Sequence, residues 1–134
     1  MKKRVILLSF LLVLSFVLSS CSGQKYKDGT YTGEYMDTER NQKTTVELTV
    51  EKDKITAFSF VAYDSDGSVK GENYGKDAGE AAYKLAQQSL EASKQYPARI
   101  VEAGDIEKVD AVSGATTTLQ KLKEATKDAL KKAR

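Results

Sequence analysis

The 134 residues carry 21 Lys+Arg against 19 Asp+Glu and are 40% hydrophobic and 30% charged, with 9 Gly and 1 Pro. That is the make-up of one globular domain, and it excludes collagen-like, coiled-coil and wholly disordered chains, while the length is too small for a complete dinucleotide fold or a (β/α)₈ barrel. The chain has no histidine and 1 cysteine, which excludes Ser-His-Asp and Cys-His catalysis, His-containing zinc sites, internal disulfides and Cys-cluster metals.

At the N-terminus, Lys2, Lys3 and Arg4 precede a largely apolar stretch of 14 residues from Val5 to Leu18. This is the layout of a secretory signal peptide over residues 1–20, too short to serve as a permanent membrane span. Leu18-Ser19-Ser20-Cys21 resembles a bacterial lipobox. The resemblance implies that lipoprotein processing enzymes place a diacylglyceryl group on the Cys21 sulfur and cleave before it. It also implies acylation of the palmitate kind and a lipid anchor on the extracytoplasmic face of the cell membrane. Two acyl chains hold a protein stably at a bilayer where one does not. A secreted, non-lipidated product is the alternative. The octapeptide Val13 to Ser20 resembles the pheromones that some such signals release. Without its first twenty residues the chain has 18 Lys+Arg against 19 Asp+Glu, a formal −1. A nucleic-acid partner is therefore not expected, because binding phosphates calls for a basic face.

Residues 21–27 read as a lipidated tether and 28–134 as the domain. Thr30 to Tyr35 suits a strand. From Thr44 to Glu51, Val46, Leu48 and Val50 alternate with Thr45, Glu47 and Thr49, the pattern of a half-buried strand. Lys52-Asp53-Lys54 reads as a tight turn. Ile55 to Tyr63, apolar on both alternations, reads as a more central strand covered on two faces. The short links require antiparallel pairing. Ala78, Ala82, Leu85, Ser89, Ala92 and Tyr96 then recur at helical spacing, giving a helix over about 77–94 with a small-residue face, stopped before Pro97. Arg99 to Val101 and Ile106 to Val109 read as short connecting pieces. A second helix carries Leu119, Leu122, Thr126, Ala129, Leu130 and Ala133 on one stripe, with lysines opposite. The expected fold is α+β, a small antiparallel sheet packed with two main helices in a single domain.

Between the helices lies Asp110-Ala111-Val112-Ser113-Gly114-Ala115-Thr116, a small-residue, hydroxyl-rich turn that feeds directly into the second helix. Thr117 with Gln120 fits a capping box, which makes Thr117 the N-cap and presents Thr116 just outside it. Gly114 permits a backbone conformation closed to other residues, and the first-turn N–H groups could hold an anion. The glycine spacing and lysine of a P-loop are missing, and a plain helix cap explains the same residues.

This heptapeptide resembles the flavinylation signature of the FMN-binding domain family. That family occurs in flavoprotein subunits of the sodium-pumping NADH:quinone oxidoreductase and in extracytoplasmic electron-transfer lipoproteins. The core pattern Asp-x-x-Ser/Thr-Gly-Ala-Thr arises by chance on the order of 10⁻⁶ per start position. Asp28-Gly29-Thr30-Tyr31-Thr32-Gly33 resembles the family's opening, and the order of elements matches over roughly 26–133. The Asp53-Lys54 turn departs from it, since relatives often carry glycine there. The resemblance implies that a flavin transferase using FAD joins FMN through its phosphate to the Thr116 hydroxyl. Ser113, Gly114, Ala115 and Thr117 would line the binding turn, and Asp110 would set loop geometry or transferase recognition. Tyr63, Tyr74 and Tyr83 are candidates to stack on the flavin ring because aromatics stack well. The implied function is an electron carrier between a membrane redox donor and an external acceptor. A flavin-free or noncovalent binding module and a small flavin-dependent reductase are the other readings.

Overall fold

The computed structural model describes residues 23–134; the signal segment 1–20, with the octapeptide 13–20, and Cys21 lie outside the described residues. Three strands, β1 (Gly29–Asp37), β2 (Gln42–Glu51) and β3 (Lys54–Tyr63), form an antiparallel sheet in the order β1-β2-β3. Three helices follow, α1 (Glu80–Ser93), α2 (Tyr96–Ala103) and α3 (Thr116–Lys131). The architecture is α+β as expected, with one short helix added.

On β2, Val46, Leu48 and Val50 are buried while Glu47 and Glu51 on the other face are exposed. Register places Gly33 and Tyr31 of β1 beside Val46 and Leu48, so one face of the sheet meets the helices and the other meets water. Helix α3 lies across β1 and β2, and α2 across β3. Leu122, Ala125 and Ala129 of α3 are completely buried. Gly33 permits this approach, because a Cβ there would run into the Ala125 carbonyl and the Ala129 amide.

Strand β3 departs from expectation: it is an edge strand with one covered face. A bulge lets Ile55 and Phe58, on opposite alternations, both face the core, while Ala57 and Val61 stay exposed. Ile55 pairs with Val50 and Phe58 with Leu48, so three steps on β3 match two on β2 and the inward-facing set changes phase. Val61, on the outer face beyond the bulge, is 37% exposed.

The turn from β2 to β3 puts both Lys52 (φ 50°) and Asp53 (φ 63°) in the left-handed region, the geometry of a two-residue type I′ hairpin without the usual glycine. The Asp53 carboxylate accepts N–H bonds from Lys25 at 3.0 Å and Tyr26 at 2.8 Å. These amide donors hold its pKa below the ordinary carboxylate value. With the Lys27 N–H bonded to the Ala133 carbonyl at 2.7 Å, the segment read as tether is fastened to the domain from Lys25 onward.

Helix α1 begins at Glu80, after a 3₁₀ turn at Lys76–Ala78. Its small face is divided: Ala82 looks onto the loop before it, Leu85 is exposed, and Ala92 packs against the core. A Cβ at Gly75 would come within 2.7 Å of the Ala86 Cβ, and Gln87 donates to the Gly71 and Tyr74 carbonyls. Arg99 to Val101, expected as a connecting piece, belongs to α2. Pro97 sits in the first turn of that helix, where its missing N–H costs no hydrogen bond. Tyr96 and Ile100, one turn apart, are both completely buried.

Candidate functional site

After a second 3₁₀ turn (Ile106–Lys108) the chain runs through Val109 and Asp110 into a turn closed by the Ala115 N–H donating to the Val112 carbonyl at 2.9 Å. Gly114 occupies the third position with φ 87°, where a type II turn needs a positive φ. A Cβ built on Gly114 would meet nothing within 4 Å. Glycine is required here by the backbone alone, and the space above it is open.

Tyr96 secures this turn from within. Its buried hydroxyl accepts the Val112 N–H at 3.0 Å and donates to the Ala115 carbonyl at 2.7 Å, touching both ends of the turn. The same Ala115 carbonyl takes the first helical bond from Leu119 N–H at 3.2 Å. The helix therefore starts earlier than the capping box suggests: Ala115 is the N-cap, Thr116 the first helical residue and Thr117 the second. The expected pairing of a Thr117 cap with Gln120 is not made. The hydrogen bonds to Tyr96 set where the helix begins, and no side chain caps it. Its first-turn N–H groups are left at the positive end of the helix dipole without a side-chain acceptor.

Ser113, Gly114, Thr116 and Thr117 are exposed, and Ala115 is buried beneath them. Asp110 is exposed, and its carboxylate makes no hydrogen bond or ion pair among the described residues. Beside Thr117 and Thr118 opens a cavity of about 200 Å³, walled by Phe60 of β3, Leu90 of α1 and the loop residues Lys70 and Tyr74. At its polar edge the Gln42 side-chain carbonyl accepts from Lys70 at 2.7 Å and from Lys121 at 3.0 Å. Lys121 also pairs with Asp37 at 2.9 Å, in a contact whose two side chains are 13% and 7% exposed. The hydrogen bond from Lys121, aided by Arg40, holds the Asp37 carboxyl down at about 2.

Of the three tyrosines considered for ring stacking, Tyr74 lines this cavity, with the Lys70 ammonium 4.5 Å from its ring centre. Tyr63 lies beneath Lys43, and Tyr83 bonds the Glu72 carbonyl; neither lines it. Gln42, Lys70 and Lys121 carry no sequence motif and meet only through the fold. Tyr96, at the helical spacing of the preceding residues, instead opens α2. The signal available for Tyr96 was its position before Pro97, an aromatic entering a new helix. Amide donors around an exposed threonine, next to a wall that is aromatic, apolar and cationic, fit a cofactor with a phosphate and a flat ring.

Comparison with protein families gives a match to the FMN-binding domain over residues 40–131. Comparison with curated proteins gives no match. Among solved structures, the crystal structure of the CPE2226 protein from Clostridium perfringens superposes with a TM-score of 0.60 at 23% identity, over 81% of this chain and 88% of that one. That is a likeness of fold. The family match spans more than half of the chain and includes the Asp110 to Thr116 motif and the cavity beside it, and by it this chain belongs to the FMN-binding domain family.

Proposed function

We propose that the chain carries FMN covalently on Thr116 and works as a lipid-anchored electron carrier outside the cytoplasmic membrane, between a membrane redox donor and an external acceptor. The observation that carries this reading is the placement of Thr116. Its side chain is exposed at the first position of an uncapped helix whose entry turn is held by Tyr96. A flavin transferase using FAD would join the FMN phosphoryl group to the Thr116 oxygen, with AMP leaving and the hydroxyl proton released. The first-turn amides would hold the phosphate, and Ser113 and Gly114 would leave room for it. Asp110, without a side-chain partner among the described residues, would serve transferase recognition. Tyr74, Lys70, Lys121 and Gln42 would bind and orient the ring system. The flavin supplies the redox chemistry; the protein supplies attachment, orientation and electrostatics. Covalent attachment suits a site outside the cell, where a dissociated cofactor diffuses away.

The test is the intact mass of the full chain, exported and processed in a host expressing a flavin transferase, beside Thr116→Val. One FMN adduct that survives denaturation and vanishes in the variant is the expected result. Wild-type protein without an adduct, while a control substrate is flavinylated, overturns the covalent reading and leaves noncovalent flavin binding. Anchoring is read separately from Cys21→Ser, which should release the chain from membranes.

A further inference from the structure

A second cavity, of about 580 Å³, lies toward the opposite end of α3, between that helix, the β2–β3 hairpin and the loop after α2. Thr126, in its wall, is ten residues beyond Thr116, or roughly 15 Å along the helix. Its volume falls within the usual range for small-molecule sites of about 300–1,000 Å³. Val50, Ile55, Ile106 and Leu130 supply an apolar floor. The Thr126 hydroxyl in this wall is completely buried and has no hydrogen-bond partner.

The charges at the rim are unevenly committed. Asp53 accepts two backbone N–H groups, Asp105 accepts the Glu107 N–H, and Glu107 pairs with Lys123 at 3.0 Å. Of the rim cations, Lys127 pairs with Glu124. Lys131 and Arg134 have no carboxylate partner among the described residues, Lys25 lies near enough to Asp53 to help lower its pKa, and Lys25 and Arg134 flank the ring of Tyr26 at 5.1 and 5.9 Å. Lys25, Lys127, Lys131 and Arg134 thus outnumber Asp53, Asp105 and Glu107 around an apolar pocket, with the Thr126 hydroxyl buried behind its wall.

We propose that this cavity binds a compact amphipathic anion, a molecule with an apolar ring or chain and one carboxylate, sulfonate or phosphate. The body covers the apolar floor, and the anionic group takes Lys131 and its neighbours. The site is separate from Thr116 and does not depend on flavin attachment.

The test is calorimetric titration of the full chain in nonionic detergent with naphthalene-2-sulfonate and, in a second arm, decanoate. Each is corrected by a detergent blank, and naphthalene-2-methanol is the neutral counterpart. Saturable one-site binding of either anion is expected, with the preferred arm telling a ring from a chain. The neutral compound should bind at least tenfold more weakly. Lys131→Glu should weaken anion binding about tenfold. Arg134→Glu, at the exposed rim, should weaken it several-fold without lowering the melting temperature. Absence of saturable binding in both arms, equal affinity for the neutral compound, or binding unchanged in both variants overturns the proposal.

Discussion

Tyr96→Phe removes one oxygen atom and leaves the rest of a completely buried ring in place. Two hydrogen bonds disappear, from Val112 N–H at 3.0 Å and to the Ala115 carbonyl at 2.7 Å. They are not equal losses. The Ala115 carbonyl keeps its bond from Leu119, so it loses only the net worth of one bond, about 1 kcal/mol. The Val112 N–H keeps no partner in the fold, and because Val112 is only half-buried its cost sits at the low end of the range for an orphaned donor, again about 1 kcal/mol. The total of about 2 kcal/mol corresponds to a melting temperature roughly 8 °C lower for a domain of this size. The same change frees the turn before Thr116, so flavin attachment by the transferase should slow several-fold while remaining measurable. Calorimetry gives the first quantity and a time course of intact mass gives the second. A variant that melts within 1 °C of wild type and is flavinylated at the same rate refutes the claim that Tyr96 holds the turn. A variant that melts lower but is modified at the wild-type rate confines its role to stability.

Gly33→Ala forces α3 away from β1, since the added Cβ meets helix backbone that no side-chain rotation can move. Overpacking of this kind costs about 1–3 kcal/mol or more, and denaturant unfolding should show a lower midpoint with an unchanged slope. Asp37 should set part of the acid sensitivity. Its folded pKa, about 2, is below the ordinary 3.8, so its stabilising contribution is complete above pH 4 and is lost as pH falls from about 4 toward 2. In Asp37→Asn the decline in stability over that window should flatten; an identical pH profile in both proteins refutes the assignment of the Asp37 and Lys121 pair.

What the sequence made legible follows from how local each feature is. Alternation on β2 and the apolar stripe of α3 are properties of adjacent residues, and both elements lie where the pattern puts them. The edge position of β3 was hidden because a bulge, unmarked by glycine or proline, let apolar residues occupy both alternations. Helix α2 was hidden because Pro97 reads equally as the end of one helix and the first turn of the next, and only the burial of Tyr96 and Ile100 against β3 decides. The motif itself was legible because seven adjacent residues resemble a family signature, whereas Tyr96, Gln42, Lys70 and Lys121 reach the same region from α2, β2, the loop after β3 and α3. No local pattern records a meeting of that kind.

The start of α3 shows how a local rule gives way to a tertiary contact. Thr117 with Gln120 satisfies the sequence criterion for a capping box, which would have bonded the cap hydroxyl to a first-turn N–H. Tyr96 instead fixes Ala115 as the cap, a residue whose methyl is buried and cannot accept a hydrogen bond. Exchanging a Thr cap for Ala typically costs about 1 kcal/mol. The exchange leaves first-turn amides free and places Thr116 at their head. A self-capped helix would have spent one of those donors internally and put Thr116 outside the helix. The clamp and the missing cap therefore belong to one arrangement: the fold gives up a side-chain cap at this terminus, and its first-turn amides are the donors that a phosphate on Thr116 would use.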